Sequence, residues 1–128
     1  MSKYEPNPHE ASQTIVTDRP PVDLHSFREE MQAMGVAEIV DVALETFLEE
    51  TPERLQTLEE TIADQDSVGA AFAAHAIKSG AGSIHAYRLA ALLQKIEELA
   101  RAQDVEGAAE LLPSVSAEYR AVTAYLSH

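Results

Sequence analysis

The sequence has no cysteine and no tryptophan, only 5% aromatic residues, and 9 basic residues against 22 acidic ones. The lack of cysteine excludes disulfides, thiolate zinc sites and thiol nucleophiles. The formal net charge of -13 opposes binding to nucleic acid or an anionic membrane, because the summed field repels phosphates and headgroups. Partners are therefore expected to be proteins. Nowhere do about 18 apolar residues run together as a spanning helix requires. The first twenty residues also lack the basic start and apolar stretch of a signal peptide. A cytoplasmic protein without membrane association is the expectation.

What is present favours helix. Hydrophobic residues make up 45% of 128, and alanine and leucine dominate over β-branched and aromatic types, so the expected class is all-α. A chain of this length fits one domain with one hydrophobic core. Residues 1–21 hold Pro6, Pro8, Pro20 and Pro21 among polar residues, with Ile15 and Val16 as the branched apolar candidates for burial. They read as a disordered N-terminal tail, and residues 22–128 as the bundle.

Asp23 offers an N-cap to a short helix from about Leu24 to Met34, with Leu24, Phe27, Met31 and Met34 on one side and Gly35 ending it. A long helix follows from Val36 to about Asp64, in which Pro52 implies either a kink or a restart near Thr51. Asp66 and Ser67 cap a third helix to about Ser83. A fourth, from about Ala86 to Gln103, turns Leu89, Leu92, Leu93, Ile96 and Leu99 inward. A last one from about Val105 carries Leu111 to Leu126, with Pro113 as a point of kinking. Short connections force an antiparallel four-helix bundle with an additional short N-terminal helix.

The segment from Ser67 to Ile96 contains Lys78, Arg88 and Lys95 but no Asp or Glu, whereas Asp23 to Asp66 holds thirteen acidic residues. A surface that receives a dianionic phosphoryl group needs such a gap, although a buried helix can lack charges for simpler reasons. At about 100° per residue, Ala70, Ala73, Ile77, Ala81 and Ile84 share the inward face. His75 lies opposite, with Val68, Ala71, Phe72, Lys78, Ser79 and Gly82 around it. Apolar Val68 and Phe72 beside a histidine suit partner docking, and Ser79 and Gly82 leave the space beside the ring open. Neutral imidazole is a nucleophile, and Lys78 is spaced to steady phosphate oxygens. Spacing alone fits an ordinary half-exposed helical histidine equally well.

The run His75-Ala-Ile-Lys78-Ser-Gly-Ala-Gly-Ser-Ile84, followed by Leu89, Leu92 and the pair Ile96-Glu97, resembles the signature of histidine-containing phosphotransfer (HPt) domains of two-component phosphorelays. The upstream segment Phe47 to Leu58 is similar to the helix that precedes that signature. The resemblance implies a four-helix bundle and phosphorylation of His75 on its outward ring nitrogen. It implies Lys78 as the phosphate-stabilising residue, and Ser79, Gly80 and Gly82 as small positions that let a partner approach. The implied partners are a response-regulator receiver domain, a hybrid sensor histidine kinase, or both, acting on a monomer. No cofactor is implied, any Mg²⁺ being supplied by the receiver. His85 stands where the family commonly has glycine; it either bonds the phosphate as a supporting group or ends the helix, the second reading being preferred.

A kinase reading fails because no glycine-rich nucleotide loop is present. A di-metal bundle fails because no glutamate precedes any histidine by three residues, so no metal site is expected. The competing function is a helical adaptor that binds a signalling partner through the same face without carrying phosphate.

Overall fold

A computed structural model describes residues 19–127. Its helices are α1 (Leu24–Ala33), α2 (Val40–Ala63), α3 (Ser67–Ser83), α4 (Tyr87–Arg101), α5 (Val105–Glu110) and α6 (Leu112–Leu126), with a 3₁₀ turn at Ala37–Ile39 before α2. The long helices α2, α3, α4 and α6 form the expected bundle, α1 is the additional N-terminal helix, and no strand occurs among the described residues. No described helix is long and apolar enough to cross a membrane.

Three-residue links join α2 to α3, α3 to α4 and α4 to α5, and each turns on a left-handed residue: Gln65 at φ 60°, His85 at 64° and Gln103 at 64°. In each link the two amides after the cap bond back into the last turn, as in Asp66 N to Thr61 O at 2.8 Å and Ala86 N to Ala81 O at 2.8 Å. These are Schellman closures, which satisfy carbonyls that a helix end otherwise leaves without donors. Asp66 then serves the next helix as N-cap, accepting from the Gly69 amide at 2.9 Å. Asp104 accepts from Gly107 in the same way at 2.9 Å. A Cβ on either glycine would come within 3 Å of the capping carboxylate, so the cap and the glycine form one unit.

The core is aliphatic: Leu58, Ile77, Leu89, Leu93, Ile96, Val115 and Val122 are essentially inaccessible, with Phe27 closing one end. α2 runs unbroken through Pro52, so of the two expectations there the restart is excluded. Proline leaves the Leu48 carbonyl without its helical donor; the Tyr119 hydroxyl lies 3.5 Å from that oxygen, and Thr51 Oγ1 donates to Phe47 O at 2.6 Å.

Two expectations need correction. Met34 is 67% exposed, because α1 ends at Ala33 and Gly35, at φ 78°, turns the chain away. The single last helix is two: α5 stops at Glu110, and Pro113 sits in the first turn of α6, where its missing amide costs nothing. The tail expected over residues 1–21 falls, for residues 1–18, outside the described residues. At the start of the described residues, the Arg19 carbonyl accepts from Arg88 Nη1 at 2.6 Å.

Candidate functional site

α3 owes its placement to its small residues. Ala70, Ala73, Ala74, Ile77 and Ala81 are buried, and the alanines bring the backbone close to α2 and α4 without displacing larger core side chains. That orientation fixes the opposite face. The His75 side chain is 53% exposed, and Phe72 and Val68, one and two turns before it, are 78% and 80% exposed. Ser79 is exposed, and a Cβ on Gly82 would meet nothing within 4 Å.

Two residues of this face sit differently from the expectation. Ala71 is buried, since α4 comes up against that flank of α3; it lines a cavity of about 330 Å³ with Val68, Phe72, Ala100 and Arg101. Gly80 points toward Phe47 and Arg54 of α2, so its small size serves helix packing rather than the approach of a partner.

The decisive neighbour of His75 comes from α4. Glu97 is 5% exposed, and its carboxylate receives three side chains: His75 through Nδ1 at 3.2 Å, Lys78 Nζ at 2.8 Å and Arg101 Nη2 at 2.7 Å. Lys78 Nζ also donates to Gln94 Oε1 at 2.8 Å. Burial pushes the Glu97 carboxyl upward, but hydrogen bonds from Lys78, Arg101 and His75 outweigh it and lower the pKa to about 2. Glu97 is thus an ionised acceptor with no proton to give.

That charge state assigns the tautomer. A carboxylate can only accept, so His75 Nδ1 carries the hydrogen and Nε2 keeps its lone pair. In a ring this exposed, Nε2 is the nitrogen open to an incoming electrophile. One carboxylate shared between Lys78 and Arg101 leaves one positive charge beside a neutral imidazole, which favours an arriving anion. Among the described residues no cluster of His, Cys, Asp and Glu is arranged to hold a metal.

His85 takes no part in this arrangement. It is buried, its Nδ1 lies 2.6 Å from Ser26 Oγ, and its Nε2 lies 2.8 Å from Glu30 Oε1. The ring packs at a tilt against both Phe27 and Tyr87, with centroids 5.3 and 5.0 Å away. Both nitrogens are committed to α1, which leaves neither free for a phosphate. The left-handed φ explains why glycine suits this position; histidine exchanges backbone ease for a clasp on α1. Replacing His85 by glycine is expected to relieve the backbone yet cost about 1–2 kcal/mol net, through the lost ring packing and hydrogen bonds. Hydrogen exchange of the α1 amides measures this, with protection falling there first.

Sequence reasoning missed Glu97 and Arg101 as site residues. The available signal was the end of the acid-free run: Glu97 is the first acidic residue after Asp66, with Arg101 four residues on.

The family model for the Hpt domain matches residues 42–125. Among solved structures, the crystal structure of histidine-containing phosphotransfer protein B (HptB) from Pseudomonas aeruginosa PAO1 is similar to this chain, with a TM-score of 0.72 and 26% identity over 82% of this chain and 90% of that one. No curated protein matches the sequence significantly.

Proposed function

Since the chain belongs to the Hpt domain family, whose members carry phosphoryl groups through two-component phosphorelays, we propose that His75 Nε2 is the atom that carries the phosphoryl group here. The observation that supports this is the buried, ionised Glu97 on Nδ1, which holds the ring in the nucleophilic tautomer. In the forward step the Nε2 lone pair attacks the phosphorus of an aspartyl phosphate on a receiver domain. The N–P bond forms as the bond from phosphorus to the aspartyl oxygen breaks, and the aspartate leaves as carboxylate. The Nδ1 proton stays on Nδ1, where Glu97 offsets the positive charge developing on the ring. The reverse sequence returns the phosphoryl group to a receiver, so the same geometry serves both directions.

Lys78 contributes as a cation three residues along the same face. Its ammonium is already shared between Glu97 and Gln94, so it meets the phosphoryl oxygens as one member of a network rather than as a free charge. Lys78→Ala is expected to slow transfer by about tenfold, the equivalent of ~1.4 kcal/mol, and to leave the fold intact; stopped-flow transfer kinetics with circular dichroism of the variant check both halves. Phe72, Val68 and the neighbouring cavity supply the apolar surface against which a receiver docks. Any Mg²⁺ belongs to the receiver, and the chain needs no nucleotide of its own.

The test is incubation with a receiver domain phosphorylated on its aspartate. Transfer produces a label on this chain that is stable in base and labile in acid, as a phosphoramidate is. A folded chain that binds the receiver but never acquires label would refute the relay role and leave the adaptor reading in its place.

A further inference from the structure

The contact between His75 and Glu97 is one rung of a ladder between α3 and α4. The next rung toward the link that joins the two helices pairs Lys78 with Gln94, whose Oε1 accepts from Lys78 Nζ at 2.8 Å. From there the ammonium reaches back to Glu97 Oε1, also at 2.8 Å. At its other end, Gln94 Nε2 donates to Glu98 Oε2 at 2.7 Å. These partners leave the amide a single orientation. An ammonium only donates and a carboxylate only accepts, so the Gln94 oxygen faces Lys78 and its nitrogen faces Glu98.

Gln94 is thus an uncharged spacer between a cation and a second carboxylate. The Lys78 side chain is only 25% exposed, so protein acceptors replace much of the water that its ammonium would otherwise hold. On the premise that His75 carries the phosphoryl group, we propose that Gln94 is a positioning residue for the transfer. It holds the Lys78 ammonium near His75 with a neutral acceptor and keeps Glu98 from neutralising it.

The argument rests on charge as well as geometry. Lys78 and Arg101 share Glu97, which leaves one positive charge beside the imidazole. A glutamate at position 94, or a direct pair between Lys78 and Glu98, would cancel that charge and remove the attraction for a dianionic phosphoryl group. A side chain with no acceptor would leave Lys78 free to turn toward Glu98, one helical turn beyond Gln94. An amide meets both needs, since it occupies the lysine and the second carboxylate together and adds no charge. Gln94 itself is exposed, so the core does not demand this residue; the network around Lys78 does.

Two variants of similar size separate the bond from the charge. Gln94→Met removes the acceptor, whereas Gln94→Glu keeps an acceptor oxygen and adds a negative charge. Each full chain is mixed with a receiver domain phosphorylated on its aspartate, and single-turnover transfer is followed. Gln94→Met is expected to slow transfer by about two- to tenfold, the worth of one hydrogen bond. Gln94→Glu slows it further, by an excess that shrinks as salt is raised. In a Lys78→Ala chain, adding Gln94→Met changes the rate little, because its effect runs through the ammonium. Circular dichroism of every variant matches wild type. A merely structural Gln94 requires the opposite order, with Gln94→Glu nearer to wild type than Gln94→Met and the cost of Gln94→Met the same with or without Lys78. Either of those results overturns the proposal, as does transfer at the wild-type rate in both variants. A wild-type chain that never takes label refutes the role of His75 and this inference with it, whereas a labelled wild type with indifferent variants refutes the role of Gln94 alone.

Discussion

His75→Gln is expected to abolish the acid-labile label while leaving the bundle folded. Glutamine offers an amide of comparable reach to Glu97 but no lone-pair nitrogen able to form a stable N–P bond, so the chemical step loses its nucleophile outright. The position tolerates the change because the side chain is half in water and, among the described residues, its side chain bonds only to Glu97. Unfolding free energy is expected to move by no more than about 0.5–1 kcal/mol. Label persisting in the variant would transfer the role to another histidine. Among the described ones His25 would then be the candidate, being exposed and held only by Glu29 at 3.4 Å, since His85 is buried with both nitrogens engaged.

Glu97→Ala acts on the same reaction without touching the nucleophile. The ring loses the acceptor that fixes its tautomer and orientation, and Lys78 and Arg101 lose the anion that gathers them. Transfer is expected to fall by roughly 10–100-fold, as for other groups that orient a functional imidazole, whereas Glu97→Gln, which keeps an acceptor oxygen, recovers part of the rate. A purely structural role for Glu97 would show no such recovery ordered by acceptor capacity.

Stability carries a second signature of Glu97. Its carboxyl ionises near 2 in the fold against an ordinary 4.5, so folding favours the ionised form. The resulting stabilisation is complete above about pH 4.5 and is lost as pH falls toward 2. It amounts to no more than about 3 kcal/mol, because Arg101 remains largely in water. Denaturant titrations of wild type and Glu97→Gln should therefore differ at neutral pH and converge as pH falls through about 2; a gap that is independent of pH would contradict the assignment.

The sequence disclosed most where periodicity and chemistry agree. The inward alanines of α3, the outward His75 and Phe72, and the Asp66 cap all follow from a 3.6-residue repeat applied to one uninterrupted helix. It disclosed less where the outcome depends on a neighbour. Ala71 sits on the expected arc yet is covered by α4, because a wheel locates a side chain around its own axis and says nothing of what lies against it. Pro52 and Pro113 look alike as symbols, but one is carried inside a helix and the other opens a new one. The difference lies in what surrounds each: Tyr119 stands near the carbonyl that Pro52 strands, whereas Leu111 ends one helix and Pro113 falls in the first turn of the next. Glu97 was hardest to find, since one of two adjacent glutamates on an amphipathic helix reads as solvated; its burial depends on three cations and donors converging from two helices.

The link at Ile84–Ala86 has one more consequence. His75, Lys78, Gln94, Glu97 and Arg101 all lie on the two helices it joins, and His75 and Glu97 meet across 22 positions of sequence. The whole constellation therefore resides in a single hairpin, and its alignment is set by residue count: one inserted residue in that link would advance α4 by about 1.5 Å and turn it by about 100° relative to α3, parting the pair. Changes in α1, α2 and α6 reach the same atoms only through packing. The hairpin link thus sets the spacing of the constellation directly, while the rest of the bundle supports it from behind.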